Sequence, residues 1–159
     1  MMLEVGEKAP SFKAKDQNGN TVSLSDFKER KVILFFYPED DTPTCTQEAC
    51  NLRDNFSLLT DKGYIVLGVS PDEVSSHKKF EKKFQLPFPL LSDPQRKIIE
   101  AYGSWGPKQM FGNHYMGVIR QTFIINEKGR IEKIFRKVHS KNHAHQIIEA
   151  FNSNNLAEE

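Results

Sequence analysis

Val32-Ile33-Leu34-Phe35-Phe36-Tyr37 is the longest unbroken apolar run in the chain, and Pro38-Glu39-Asp40-Asp41-Thr42-Pro43-Thr44-Cys45 follows it directly. A short apolar run of this kind, bounded by turn-forming residues, predicts a strand covered on both faces. Thr42 then offers an N-cap, and Pro43 suits the first helical position, where its missing N–H costs nothing. Cys45 therefore falls in the first turn of a helix. Unpaired N–H groups and the positive end of the macrodipole favour the thiolate there, which is the form of cysteine that reacts. Cys50 lies five residues further on, and these two are the chain's only cysteines.

Working outward, the chain alternates strands and helices. Asp16-Gln17-Asn18-Gly19-Asn20 is a turn signal between two short extended stretches and predicts an N-terminal hairpin. The strand at 32–37, a helix from about Thr44 to Asp61 and a second buried strand, Tyr64–Ser70, make a right-handed βαβ unit. Helical spacing continues over Val74–Phe84, with Phe80 and Phe84 on one face. A short strand at 88–91, a helix from Pro94 to Tyr102, a Gly-rich loop from Gly103 to Gly117, a hairpin of 121–125 with 130–135 and a helix over 141–152 complete the order. This is the α/β, thioredoxin-like arrangement: a central mixed sheet flanked by helices, in one domain spanning residues 1–159. Its reactive cysteine sits at the carboxyl end of a parallel strand, the edge where open α/β sheets place their ligands.

Composition narrows the partners. The chain has 159 residues, long enough to bury about two thirds of the surface its unfolded form exposes. Lys and Arg number 22 against 21 Asp and Glu, for a net charge of +1 with the signs interspersed. Nucleic acid and anionic membranes are therefore not expected as partners. No basic segment followed by an apolar stretch opens the sequence, so a cytoplasmic location is expected, where a disulfide is usually transient and catalytic.

The cysteine spacing is not the C-x-x-C of thioredoxin itself. It resembles the peroxiredoxin active site, whose P-x-x-x-T-x-x-C pattern is matched by Pro38, Thr42 and Cys45. With Cys50 in Cys45-Thr46-Gln47-Glu48-Ala49-Cys50, the segment is similar to the bacterioferritin comigratory protein or peroxiredoxin Q subgroup. The likeness extends to the opening Gly6–Phe12 and to Tyr115–Phe123, where Arg120 falls on the family's active-site arginine. The resemblance implies that Cys45 is the peroxidatic nucleophile, held as thiolate by Arg120 and the helix terminus. Thr42 would hydrogen-bond the thiolate and the peroxide, and Pro38 would shield the sulfur from water. Cys50 would resolve the sulfenic acid as an intramolecular disulfide. A thioredoxin or similar dithiol would reduce that disulfide, the substrates being hydrogen peroxide and organic hydroperoxides. Neither cofactor nor metal is implied, and closure of the disulfide within one chain suits a monomer. Glu39 departs from the subgroup, which often has a basic residue there; with Asp40 and Asp41 it would form an acidic rim around the site.

Thiolate formation alone does not make a peroxidase. Moving a cysteine from a pKa of about 8.5 to about 6 raises the thiolate fraction at neutrality only about thirtyfold, while its nucleophilicity falls. The remaining acceleration must come from aligning the O–O bond with sulfur and stabilising the charge on the departing oxygen, for which an arginine fork is suited.

Plainer readings stand beside these. The cysteines could be ordinary buried thiols, and Arg120 a salt-bridged arginine beside a strand. His139, His143 and His145 read as surface residues rather than a metal site, since no further ligand sits at suitable spacing. Trp105, Met110, Phe111, Tyr115 and Met116 either line the mouth of the site or cover the sheet edge. Glu48 and Arg53 read as a pair on the exposed side of the first helix, with Glu48 close enough to touch the active-site network. Two other function classes fit the cysteines: a protein thiol–disulfide oxidoreductase, which has no use for Thr42 and Arg120, and a redox sensor without turnover.

Overall fold

Asp16 begins the organisation of the N-terminus. Its carboxylate accepts the N–H groups of Asn18 and Asn20, and Gly19 closes the turn at φ +79°. In the computed structural model, which describes residues 2–158 and all of their side chains but those of Met110 and residues 152–158, this turn joins β1 (Lys13–Lys15) to β2 (Thr21–Ser23). A 3₁₀ turn at Leu24–Phe27 leads into β3 (Lys31–Phe36). Then follow α1 (Pro43–Asp54), α2 (Phe56–Asp61), β4 (Tyr64–Ser70), α3 (Val74–Phe84), β5 (Leu90–Ser92) and α4 (Lys97–Ala101). The remaining elements are β6 (Trp105–Met110), β7 (Asn113–Val118), β8 (Gln121–Ile125), β9 (Ile131–Phe135) and α5 (His143–Glu158).

Seven strands form one mixed sheet in the order β2-β1-β5-β4-β3-β8-β9. The three central strands β5, β4 and β3 run parallel, and the outer ones are antiparallel. The period of two along β3 separates two cores. Ile33, Phe35 and Tyr37 pack with Leu52, Leu59, Phe80 and Ile147 of the four helices α1, α2, α3 and α5. Leu34 and Phe36 pack on the other face with Ile98 and Ile99 of α4, Tyr102 and Phe123. Apolar burial on both faces is why this strand reads as an uninterrupted run.

Three readings of the sequence need correction. The helix expected over 44–61 is two, because Asn55 leaves helical geometry at φ −110°, ψ 14° and its side-chain amide donates to the carbonyl of Asn51. The stretch 103–117 is not a loop: β6 and β7 form a separate antiparallel hairpin. Its glycines have specific tasks. Gly112, with Phe111, makes a tight left-handed turn at φ 81° and 52°, and Gly106 lies against the Ile119 side chain, where a Cβ would come within 2.7 Å. The helix expected from Pro94 begins only at Lys97, since Arg96 sits at φ 60°.

Gly68, in the middle of β4, has a comparable constraint: an added Cβ would lie 2.7 Å from the Phe35 ring and 3.1 Å from a Leu90 methyl. Both side chains are sealed in the core. Gly68→Ala is therefore expected to destabilise the protein by about 1–3 kcal/mol, the usual cost of overpacking. A lower urea midpoint with unchanged slope is the measurement that checks it.

Candidate active site

Strand β3 fixes the site by delivering Tyr37 and Pro38 to the carboxyl end of the sheet. The Tyr37 N–H still reaches Val69 of β4 at 3.1 Å, so the chain is anchored up to this point. Thr42 is the N-cap residue of α1, in extended geometry, and Pro43 opens the helix as expected. The Thr42 carbonyl accepts the first helical hydrogen bond, from Thr46 at 2.8 Å, while its hydroxyl donates to the carbonyl of Glu39 at 2.9 Å. That hydroxyl hydrogen is thus committed to the loop, which leaves the oxygen to act as an acceptor. Cys45 lies one turn into α1 and is buried.

Arg120 enters from the link between β7 and β8. One guanidinium nitrogen donates to the Cys45 sulfur at 3.1 Å and another to the Glu48 carboxylate at 2.6 Å. Cys45 and Arg120 are therefore brought together, and Thr42 and the half-buried Pro38 lie on the segment that leads from β3 into α1. Cys50 is not in this cluster. It is half-buried further along α1, which runs unbroken from Pro43 to Asp54, and both thiols are free. Burial raises the Cys50 thiol above its ordinary pKa, keeping it protonated at neutrality. The next residue, Asn51, ties α1 to α5 by donating to Lys141 at 3.1 Å and accepting the Ala144 N–H at 2.8 Å.

Glu48 and His143 are not where the sequence suggested. Glu48 is fully buried and pairs with Arg120, whereas Arg53 turns to Asp54 and to the carbonyl of Phe84. Burial pushes the Glu48 carboxyl up to about 7 despite the adjacent guanidinium, which draws it down. His139 and His145 are exposed, but His143 is sealed behind the site, 2.8 Å from the Thr122 hydroxyl and 3.8 Å from the second Glu48 oxygen. Burial, with Arg120 adding to it, lowers the His143 ring to about 4. The apolar spacing of α5 places position 143 with Ala144 and Ile147 against the sheet, a signal outweighed by the polar neighbours.

The expected acidic rim forms only in part. Glu39 and Asp41 are at the surface, Asp41 paired with the exposed Lys83 at 2.8 Å, whereas Asp40 turns inward. Asp40 is buried, accepting from the Tyr37 hydroxyl at 2.6 Å, the Ser76 hydroxyl at 2.8 Å and the His77 ring at 2.8 Å. Its own N–H donates to Asp72 at 2.8 Å. The far side of the His77 ring meets the Leu91 carbonyl at 3.0 Å. Sequence reading passed over His77, although it shares the helical stripe of Phe80 and Phe84 and so had to be buried with partners. Asp40, Asp72 and His77 offer three ligand atoms within 4.8 Å, but all three side chains are already committed to hydrogen bonds.

Beside the sulfur stands the β6–β7 hairpin. Lys108 donates to the Val118 carbonyl at 3.0 Å, and burial together with the Arg120 charge lowers its amine while Cys45 opposes this. Trp105 packs under the Arg96 guanidinium at 4.1 Å, over the sheet edge, whereas Phe111, Tyr115 and Met116 are exposed.

The pattern of the AhpC/TSA family matches residues 5–134. Peroxiredoxin Bcp of Bacillus subtilis is 44% identical over 149 residues, 94% of this chain and 95% of its own length. The chain belongs to the AhpC/TSA family of peroxiredoxins. This peroxiredoxin is a thiol-dependent peroxidase. Its backbone is similar to that of the Xanthomonas campestris bacterioferritin comigratory protein, with a TM-score of 0.86 and 27% identity, covering 95% of this chain and 99% of the other. Xylella fastidiosa PrxQ gives a TM-score of 0.89 at 26% identity, with 97% and 98% covered. The thioredoxin-like fold expected from element order is thereby established.

The buried carboxyl of this peroxiredoxin leaves a mark on stability. With Glu48 near 4.5 unfolded and near 7 folded, the native state holds a proton through that window that the unfolded chain releases. Relative to Glu48→Gln, the wild type should lose about 1–3 kcal/mol as pH rises from 4.5 to 7 and then level off, as urea unfolding across that range will show.

Proposed function

We propose that Cys45 is the peroxidatic sulfur and Cys50 its resolving partner, with hydrogen peroxide and organic hydroperoxides as substrates. The observation that carries the reading is the Arg120 guanidinium donating to the Cys45 sulfur at 3.1 Å in the first turn of α1. The thiolate attacks the nearer peroxide oxygen. An S–O bond forms, the O–O bond breaks, and the sulfur becomes a sulfenic acid as water or an alcohol departs. The planar guanidinium has donors beyond the two already engaged, and these can hold the peroxide in line and meet charge growing on the leaving oxygen. Thr42, its hydrogen given to Glu39, accepts from the peroxide O–H through its lone pairs. Pro38 keeps water from the sulfur.

Resolution requires α1 to open. Positions five apart on an intact helix lie about 8–9 Å apart at Cα and face different ways, whereas a disulfide needs about 4.4–6.8 Å. Residues around 43–50 therefore unwind before Cys50 displaces hydroxide from the sulfenic acid. Thioredoxin or a similar dithiol then reduces the exposed disulfide within the chain. No helix among the described residues is long and apolar enough to cross a membrane, and we read the protein as a cytoplasmic monomer.

Cys45→Ser is expected to abolish turnover in a thioredoxin-coupled peroxide assay. Cys50→Ser should react once and then over-oxidise, seen by mass spectrometry as sulfinic acid on Cys45. Arg120→Lys and Thr42→Val should each slow the second-order reaction with peroxide about 10²-fold or more in stopped flow, as for loss of a preorganised partner. Amide exchange over residues 43–52 should quicken on oxidation, and an unchanged pattern would refute the unwinding step.

A further inference from the structure

The second oxygen of Glu48, Oε2, has no hydrogen-bond partner among the described residues, although the side chain is wholly buried. An ionised carboxylate in that state is costly, and a carboxylic acid needs an acceptor for its proton. Nε2 of His143 lies 3.8 Å from it, beyond hydrogen-bond reach. Its protonation state follows from the bonds around it. The Gln146 amide is oriented by donating to the Lys137 carbonyl at 2.8 Å, while its oxygen accepts the His139 N–H at 3.0 Å. That same oxygen lies 2.9 Å from His143 Nδ1, so Nδ1 carries the ring hydrogen. In the neutral ring Nε2 therefore has a single lone pair, which takes the Thr122 hydroxyl at 2.8 Å, so His143 offers Glu48 Oε2 no donor.

The charges leave one consistent arrangement. Arg120 faces the pair from the β7–β8 link and Cys45 from the same helix; Lys108 adds positive charge from β6, and His139 stands beyond His143. With Cys45 as thiolate, Arg120 balances one negative charge. A second, on Glu48, would have only the half-buried Lys108 to balance it, an amine already donating to the Val118 carbonyl. With Cys45 as neutral sulfenic acid, Arg120 needs a new counterion, and Glu48 is in contact with it. We propose that the pair of Glu48 and the neutral His143 beside it holds one proton, on the Glu48 carboxyl, while Cys45 is a thiolate, and surrenders it when peroxide consumes the sulfur's charge, leaving Glu48 ionised against Arg120. The position of Glu48 near neutrality and of His143 as a free base agrees with this. The proposal rests on Cys45 being the peroxidatic sulfur.

The balance is explicit. Thiolate, protonated pair and ROOH become sulfenic acid, deprotonated pair and ROH. The sulfur is oxidised and the peroxide reduced; the alkoxide takes a proton from solvent as the pair gives one up. Closure of the disulfide by the Cys50 thiol releases water and no net proton. Without the pair, each oxidation must draw one proton from the medium. Glu48 is thus a positioning residue, acting on the reaction through Arg120.

The test is a proton count. Reduced full-length protein near neutral pH in dilute buffer is mixed with one equivalent of hydrogen peroxide, proton uptake is followed with an indicator dye, and oxidation is quantified by mass spectrometry. Wild type should take up well under half a proton per Cys45 oxidised, and Glu48→Gln close to one. Wild-type uptake close to one proton would by itself overturn the proposal, whether or not Glu48→Gln folds. Equal uptake in wild type and Glu48→Gln would overturn it as well. Oxidation that bypasses Cys45 would instead defeat the peroxidatic assignment, which the same mass measurement distinguishes.

Discussion

One cation shared between two acceptors governs this structure. Arg120 is held between the Cys45 sulfur and the Glu48 carboxylate, and its side chain is largely out of water. A planar guanidinium can make both bonds at once, in fixed geometry and without losing its charge, which an ammonium on a flexible stem cannot match. The surroundings serve that placement. β3 brings the Cys45 helix to the sheet edge, β8 continues from Arg120 alongside it, and α5 closes the back with His143. Few charges are buried here, so each one constrains the protonation of the others.

A second network holds the loop ahead of the nucleophile. Asp40 joins Tyr37 on β3, Ser76 and His77 on α3, and Asp72 after β4, so the turn from strand to helix is fastened at its midpoint. Burial raises the Tyr37 hydroxyl well above its ordinary pKa, so it remains a donor throughout the physiological range. The loop carrying Pro38 and Thr42 therefore does not depend on bound peroxide for its shape.

Local chemistry made the fold and the nucleophile legible. An apolar run, a Thr-Pro helix start and a cysteine in the first turn specify β3, α1 and Cys45 without long-range information. Arg120 required the family resemblance, since nothing near it in sequence shows which of many cations meets a sulfur 75 residues away. Glu48, Asp40, His77 and His143 were misread or missed for a common reason: charged and polar residues are assigned to the surface by default, and burial is decided by partners distant in the chain. The β6–β7 hairpin is hidden because a Gly-rich stretch reads as a loop, whereas Gly112 makes a turn and Gly106 a close contact.

The ties at Asp40 and Asn51 have a kinetic consequence. They bracket residues 41–50, so in the proposed cycle the two sulfurs, five positions apart, search for each other within a freed segment of about ten residues, and loops of that size close in about 10–100 ns. Diffusion of the chain is then negligible beside the breaking of helical bonds such as Thr46 to Thr42. The competition between resolution and a second peroxide is accordingly a matter of helix propensity at the solvent-facing positions Pro43, Thr44 and Gln47, which lie outside the hydrogen bonds of the catalytic cluster. Tolerance of oxidative load could thus drift among relatives through surface residues alone, with the chemistry at sulfur unchanged.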